Sequence, residues 1–132
     1  MHRIVASLYP YPPALRQALM ASSLAVIHGS LDDMQDYARR NIGNSAFLFH
    51  LWQVIDAMEI QLFALNERYS RATKRLEEAY RSLPSLPANF LKRYNGLLET
   101  PQTPPGRLKI VAGLQALVDD IVELARCPAS DP

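Results

Sequence analysis

The sequence predicts an all-α fold, a five-helix bundle with one very long central helix over about residues 45–83, part of it coiled-coil-like. Apolar residues recur at spacings of three and four along most of the chain, which is the period of an amphipathic helix. Prolines and glycines separate these stretches from one another. No stretch with the alternating period of a strand is longer than Arg3 to Leu8.

Length and composition fit one folded unit. The chain has 132 residues, of which 48% are apolar and 20% are charged, as in ordinary folded proteins. We therefore expect residues 1–132 to form a single helical domain, with an extended N-terminal segment over 1–13 and a frayed tail over 128–132.

The charges nearly cancel, because 14 lysines and arginines face 13 aspartates and glutamates, for a formal net charge of +1. This balance argues against general binding to polyanions, although a local basic face is compatible with it. Cys127 is the single cysteine, so the sequence excludes an internal disulfide and a cysteine-built metal site.

Neither a secretory signal nor a membrane span is expected. The apolar stretch after Arg3 ends at Pro10 and is shorter than a signal sequence requires. No uncharged run reaches the ~18–20 apolar residues of a transmembrane helix. We therefore expect a cytoplasmic protein without a membrane partner.

Two helices are predicted before the central one. The first covers about residues 14–27, with Pro13 suited to its first turn, and ends at Gly29. Ser30 is predicted to cap the second, which Gly43 ends. Its acidic residues lie near the start and its arginines near the end, as the helix dipole favours.

The central segment carries the strongest pattern, because residues 45–83 contain neither proline nor glycine. Its apolar residues alternate at three and four over five heptads: Leu48, Leu51, Ile55, Met58, Leu62, Leu65, Tyr69, Ala72, Leu76, Ala79 and Leu83. One helix of this length would measure ~58 Å, whereas a compact chain of this size is roughly 35–40 Å across. We therefore expect the polar half to project as an arm that a second copy or another protein covers.

The two halves of this helix receive different roles. In the first half, Phe47, Phe49 and Trp52 are predicted to lie in the core. The second half is predicted to bind a partner through Tyr69, Leu76, Tyr80 and Leu83, with Arg68, Arg71 and Arg75 setting the orientation. A short helix over about 88–99 and a last helix over about 107–127 complete the bundle.

No arrangement of residues indicates catalysis. His2, His28 and His50 lie far apart, and none has the spacing of a metal-binding pair. The chain has no glycine-rich phosphate loop and no serine-hydrolase motif. We therefore predict a protein that is not an enzyme, with no metal and no cofactor.

The leading hypothesis is a non-enzymatic protein–protein interaction module, a small regulatory, adaptor or chaperone-like protein that forms a homodimer. The alternative is a nucleic-acid-binding regulator that uses the basic residues Arg71, Lys74, Arg75, Lys92 and Arg93. A third hypothesis is a small-molecule pocket lined by His50 and Trp52. The sequence leaves open whether Arg39, Arg40 and His50 converge.

Overall fold

The computed structural model describes residues 11–41, 43–69 and 75–126, and this part of the chain contains five helices and no strand. We name them α1 (Pro13–Arg39), α2 (Asn44–Leu65), α3 (Leu76–Arg81), α4 (Phe90–Leu98) and α5 (Pro104–Arg126). The all-α bundle is therefore confirmed, although the helices differ from the predicted ones in their bounds. Residues 1–10 and the predicted tail lie outside the described residues.

Helix α1 joins the two helices that were predicted on either side of Gly29. It runs through 27 residues, and Gly29 keeps a negative φ within it. A glycine inside a helix costs about 1 kcal/mol relative to alanine. That cost is smaller than the gain from burying Ile27, Leu31 and Met34 in one continuous stripe, about 1.5–3 kcal/mol each. Ser30 is therefore a buried residue of the helix rather than its N-cap.

Helix α2 ends at Leu65, so the predicted continuous helix over residues 45–83 is not confirmed. The backbone N–H of Arg68 donates to Phe63 O over 2.9 Å, and that of Glu67 donates to Ala64 O over 3.0 Å. This pair of bonds is the Schellman motif, which ends many helices. The left-handed position of the motif usually holds glycine, but here Glu67 occupies it with φ 54°.

Side chains hold the chain in place after this turn. The Asn66 amide donates to Leu62 O and to Ser85 O, and its Oδ1 accepts from the Ser85 N–H. Arg68 Nη1 donates to Ser82 O over 2.9 Å. These bonds tie the end of α2 to the segment that follows α3 and direct the chain back toward the body. Residues 70–74, between the turn and α3, lie outside the described part.

The heptad seam of α2 faces other helices of the same chain. Its members in α2 are buried, apart from the half-buried Leu48. Helices α1 and α5 pack against α2, and α5 begins where Arg107 Nη2 donates to Asn44 Oδ1 and its guanidinium lies 5.0 Å from the centre of the Phe47 ring. The seam thus forms the core of one subunit.

Helices α3 and α4 close the bundle next to the end of α2. The ring of Tyr80 in α3 lies 5.1 Å from that of Phe90 and 6.2 Å from that of Tyr94, both in α4, and 6.1 Å from that of Phe63 in α2. Offset and edge-on ring contacts of this kind add about 0.5–1.5 kcal/mol each to the burial of area. Tyr80 therefore lies at the centre of an aromatic cluster that joins three helices.

Candidate functional site

Three of the four apolar residues predicted to bind a partner pack into the protein. Tyr80 is fully buried and Leu83 is 6% exposed, while the half-buried Leu76 packs against the core. Only Tyr69 is open to solvent, and its ring lies 4.9 Å from that of Tyr11. We therefore correct the predicted docking surface: Tyr80 and Leu83 are core residues, because the chain folds back after α2 instead of projecting.

Three of the cations assigned to orientation and to nucleic acid have partners within the described residues. Arg68 bonds to Ser82, Arg75 lies 3.9 Å from Glu78, and the Arg93 guanidinium pairs with Asp120 over 2.7 Å. Lys92 is exposed on α4. The two remaining predicted residues, Arg71 and Lys74, lie outside the described residues. Since carboxylates accompany Arg75 and Arg93, their attraction for phosphates is weakened.

Two aromatic rings and an isoleucine are exposed on α2 instead. Phe49 is 60% exposed, Trp52 53% and Ile60 38%, whereas Phe47 is fully buried. With Asp56 they follow one another at spacings of three, four and four, which places them along one side of the helix. We call Phe49, Trp52, Asp56 and Ile60 the α2 aromatic face. The prediction that Phe49 and Trp52 belong to the core is therefore wrong.

A polar bridge fixes α2 to α1 beside this face. Ser30 Oγ donates to Gln53 Oε1 over 3.0 Å and lies 3.5 Å from His50 Nδ1. The other ring nitrogen of His50, Nε2, lies 3.4 Å from the Tyr37 hydroxyl, so both ring nitrogens face a hydroxyl of α1. The bridge orients the His50 ring, which meets the Phe49 ring edge-on at 5.2 Å.

Acidic groups border the same region. The carboxylate of Asp33 lies 3.7 Å from His50 Nε2 and its side chain is 56% exposed. Asp56 is exposed within the face itself. Arg40 pairs with Asp36 on α1. This pairing gives no support to a pocket formed by Arg39, Arg40 and His50. The α2 aromatic face therefore offers apolar side chains for contact, with the carboxylates of Asp56 and Asp33 beside them.

Burial raises the pKa of the Tyr80 hydroxyl far above its ordinary value, with smaller contributions from Tyr94, Glu59 and Asp56. Burial also raises the pKa of Tyr94. The Tyr80 hydroxyl has no hydrogen-bond partner among the described residues. These tyrosines therefore act as large core side chains and are not poised for proton transfer near neutral pH.

Within residues 11–41, 43–69 and 75–126, no three histidine, cysteine, aspartate or glutamate side chains come together in a group that could hold a metal ion. The same part of the chain contains no helix with the length and apolar character of a membrane span. The fold and the site thus define a helical bundle with an exposed aromatic helix face. Comparison with protein-family models, curated proteins and solved structures gives no significant match.

Proposed function

We propose that this protein is a non-enzymatic protein-interaction module and that it docks its partner on the α2 aromatic face. The observation that carries the proposal is the exposure of two neighbouring aromatic rings, Phe49 at 60% and Trp52 at 53%, on the helix with the most apolar sequence. Ile60, 38% exposed, lies about two turns farther along the same side, beyond Asp56. Contiguous apolar side chains on a surface are typical of protein-binding sites, and tryptophan is enriched among the residues that contribute most to binding.

The face is preorganised for docking. Helix α2 packs against α1 and α5, and the bridge from Ser30 to Gln53 and His50 holds its outer side in register with α1. A partner would therefore meet a surface whose backbone is already ordered. Less conformational entropy is then lost on binding than with a flexible segment.

Charge indicates the kind of partner. Asp56 lies inside the apolar stripe and Asp33 lies next to His50 at its edge. An amphipathic helix with apolar anchors three and four residues apart and a lysine or arginine among them would complement this pattern. We therefore propose a basic amphipathic helix of another protein as the occupant.

A second copy of the chain is the weaker candidate for this face. A two-fold axis through the stripe would enclose two Asp56 carboxylates in one apolar interface. Removing charged groups from water without a cationic partner is strongly unfavourable. The homodimer predicted from the projecting arm loses its basis as well, because Tyr80 and Leu83 are buried in their own chain.

Trp52 is the single tryptophan of the chain, and its fluorescence therefore reports directly on the face. The test is a titration with a helical peptide of leucines and lysines and, in parallel, with the same peptide carrying glutamates for lysines. We expect the basic peptide to shift the Trp52 emission to shorter wavelength and the acidic peptide to leave it unchanged.

Asp56→Lys is the decisive control, because it reverses the charge of the face. The variant should bind the acidic peptide and no longer bind the basic one. Asp119→Lys makes the same change of charge on the exposed side of α5 and should leave the preference as in the wild type. Equal binding of both peptides by the wild type, or no effect of Asp56→Lys, would contradict the proposal.

A further inference from the structure

A groove of about 400 Å³ lies between the first half of α1 and the end of α5, and none of the α2 aromatic face residues lines it. Its volume falls within the range of small-molecule sites. Helix α2 contributes one lining residue, Gln61. The other lining residues are Arg16, Gln17, Met20, Ala21, Leu24, Val122, Ala125 and Arg126.

Gln61 is the unusual residue of this groove. Its side chain is fully buried, and neither its amide oxygen nor its amide nitrogen has a hydrogen-bond partner among the described residues. Buried amides almost always have partners, because an unpaired polar group in the interior is unfavourable. Its sequence neighbours Ile60 and Leu62 are apolar. A leucine or methionine would therefore suit the position better if packing were the only requirement.

A second polar group that lines the groove is also buried without a hydrogen-bond partner. The Nε of Arg16 is buried and has no hydrogen-bond partner among the described residues. Helices α1 and α5 run in opposite directions, since α5 begins beside Asn44 near the end of α1 and ends beside the start of α1. Arg16 and Arg126 therefore lie at the same end of the groove, and Leu24 lies farther along it.

The groove thus combines an apolar wall, a buried amide in its floor and two guanidinium groups at one end. The wall, which includes Met20, Leu24 and Val122, suits a hydrocarbon chain. Once a ligand displaces the side chains that cover Gln61, its amide group can donate to Gln61 Oε1 and accept from Gln61 Nε2. A carboxylate at the end of the ligand would be complementary to the two arginines.

We propose that this groove binds a small anionic amphiphile, a molecule with an acyl chain, an amide group and a carboxylate. The acyl chain lies along the α1 and α5 side chains, the amide pairs with Gln61, and the carboxylate lies between Arg16 and Arg126. This site is separate from the docking face, so either proposal can fail while the other stands.

The test measures binding by isothermal titration calorimetry with three probes of equal chain length, used below their micellar concentrations. N-decanoylglycine supplies chain, amide and carboxylate, decanoate lacks the amide, and decylamine reverses the charge. We expect N-decanoylglycine to bind at least tenfold more tightly than decanoate, and decylamine not to bind. Equal binding of all three probes would show contact with the hydrocarbon chain alone and would overturn the proposal.

Gln61→Met then separates a ligand contact from a structural role. Because the amide has no partner among the described residues, the substitution should raise the Tm of the free protein by roughly 3–6 °C while it weakens N-decanoylglycine binding about tenfold. Gln53→Met on the same helix is the matched control. Its Oε1 accepts from Ser30, so it should lower the Tm and leave the affinity unchanged.

Arg16→Gln should weaken N-decanoylglycine binding about tenfold, whereas Arg81→Gln, on the exposed side of α3, should have no effect. The proposal is overturned if Gln61→Met lowers the Tm as Gln53→Met does, since the amide would then have a partner within the chain. It is also overturned if Arg16→Gln and Gln61→Met both bind the probe as tightly as the wild type.

Discussion

Asn66 and Ser85 lie 19 positions apart and are joined by two hydrogen bonds: the Asn66 amide donates to Ser85 O over 2.9 Å, and the Ser85 N–H donates to Asn66 Oδ1 over 2.7 Å. The same amide also donates to Leu62 O, one of the last carbonyls of α2. One side chain therefore satisfies the end of a helix and fixes the returning chain. The central helix stops here because the backbone bonds of Glu67 to Ala64 O and of Arg68 to Phe63 O replace those that a continuing helix would make, while Asn66 holds the returning chain.

Asn66→Ala removes all three bonds and leaves the Ser85 N–H without its acceptor. We expect a loss of about 1–3 kcal/mol in the free energy of unfolding, measured by urea denaturation. Asn66→Asp keeps an oxygen that can accept from Ser85 N–H and should fall between the wild type and Asn66→Ala. An unchanged midpoint for Asn66→Ala would contradict the role assigned to the pair.

Glu67→Gly tests where α2 ends, because the substitution should stabilise the protein if the helix ends at Leu65 and destabilise it if the helix continues. Glu67 has φ 54°, a conformation that glycine adopts without strain. The substitution should therefore raise the free energy of unfolding by about 0.5–1 kcal/mol. In a continuous helix the same change would lower it by about 1 kcal/mol. A destabilised variant would thus restore the long-helix hypothesis.

Phe47 and Phe49 form a matched pair two positions apart on α2, one fully buried and the other 60% exposed. Phe47→Ala should cost about 3–5 kcal/mol, because it opens a cavity in the core. Phe49→Ala should cost less than about 1 kcal/mol, since most of the ring already contacts water. Chemical denaturation of both variants measures the difference, and equal losses would show that Phe49 also packs in the core.

Tyr80→Phe should raise the stability at neutral pH by about 1 kcal/mol, because the buried hydroxyl has no hydrogen-bond partner among the described residues. The pH dependence gives the second measurement. Burial raises the pKa of Tyr80 in the folded state, so above pH 10 the unfolded chain loses this proton while the folded protein keeps it. Stability therefore falls as pH rises, by about 1.4 kcal/mol per pH unit for this residue.

The substitution should remove that part of the alkaline decline. Tyr94, whose pKa burial also raises, still contributes to it in the variant. Unfolding midpoints measured between about pH 8 and pH 11 for the wild type and Tyr80→Phe provide the comparison. Identical pH profiles for the two proteins would show that Tyr80 ionises with its ordinary pKa in the folded state, in contradiction to its burial.

Several features of the fold could be predicted from the sequence. The spacing of apolar residues predicts helices in the right regions, and the seam members Leu51, Ile55 and Met58 are buried as a helical stripe requires. The end of α2 could not be predicted in this way, because a Schellman motif normally carries glycine and here carries Glu67. Gln61 gave only a weak signal, as one amide within an apolar run.

The exposure of side chains in the two halves of the segment was predicted wrongly for a related reason. Periodicity shows that a side of a helix is apolar, but it does not show what covers that side. In the region of Trp52 nearly every side of the helix is apolar, so the pattern cannot distinguish the side that faces α1 and α5 from the side that faces water. Tyr80 presents the opposite case, because the chain reverses direction and encloses it among Phe63, Phe90 and Tyr94.

The amino-acid order by itself determined that this protein is helical and which residues form apolar stripes, because helical periodicity is a property of neighbours three and four apart. The tertiary structure decided where α2 ends, that Gly29 remains within α1, and that Phe49 and Trp52 are exposed while Tyr80 is buried. These outcomes depend on contacts between segments that are distant in the sequence, such as the hydrogen bonds of Asn66 with Ser85. A pattern of neighbouring residues carries no information on the free energies of such contacts.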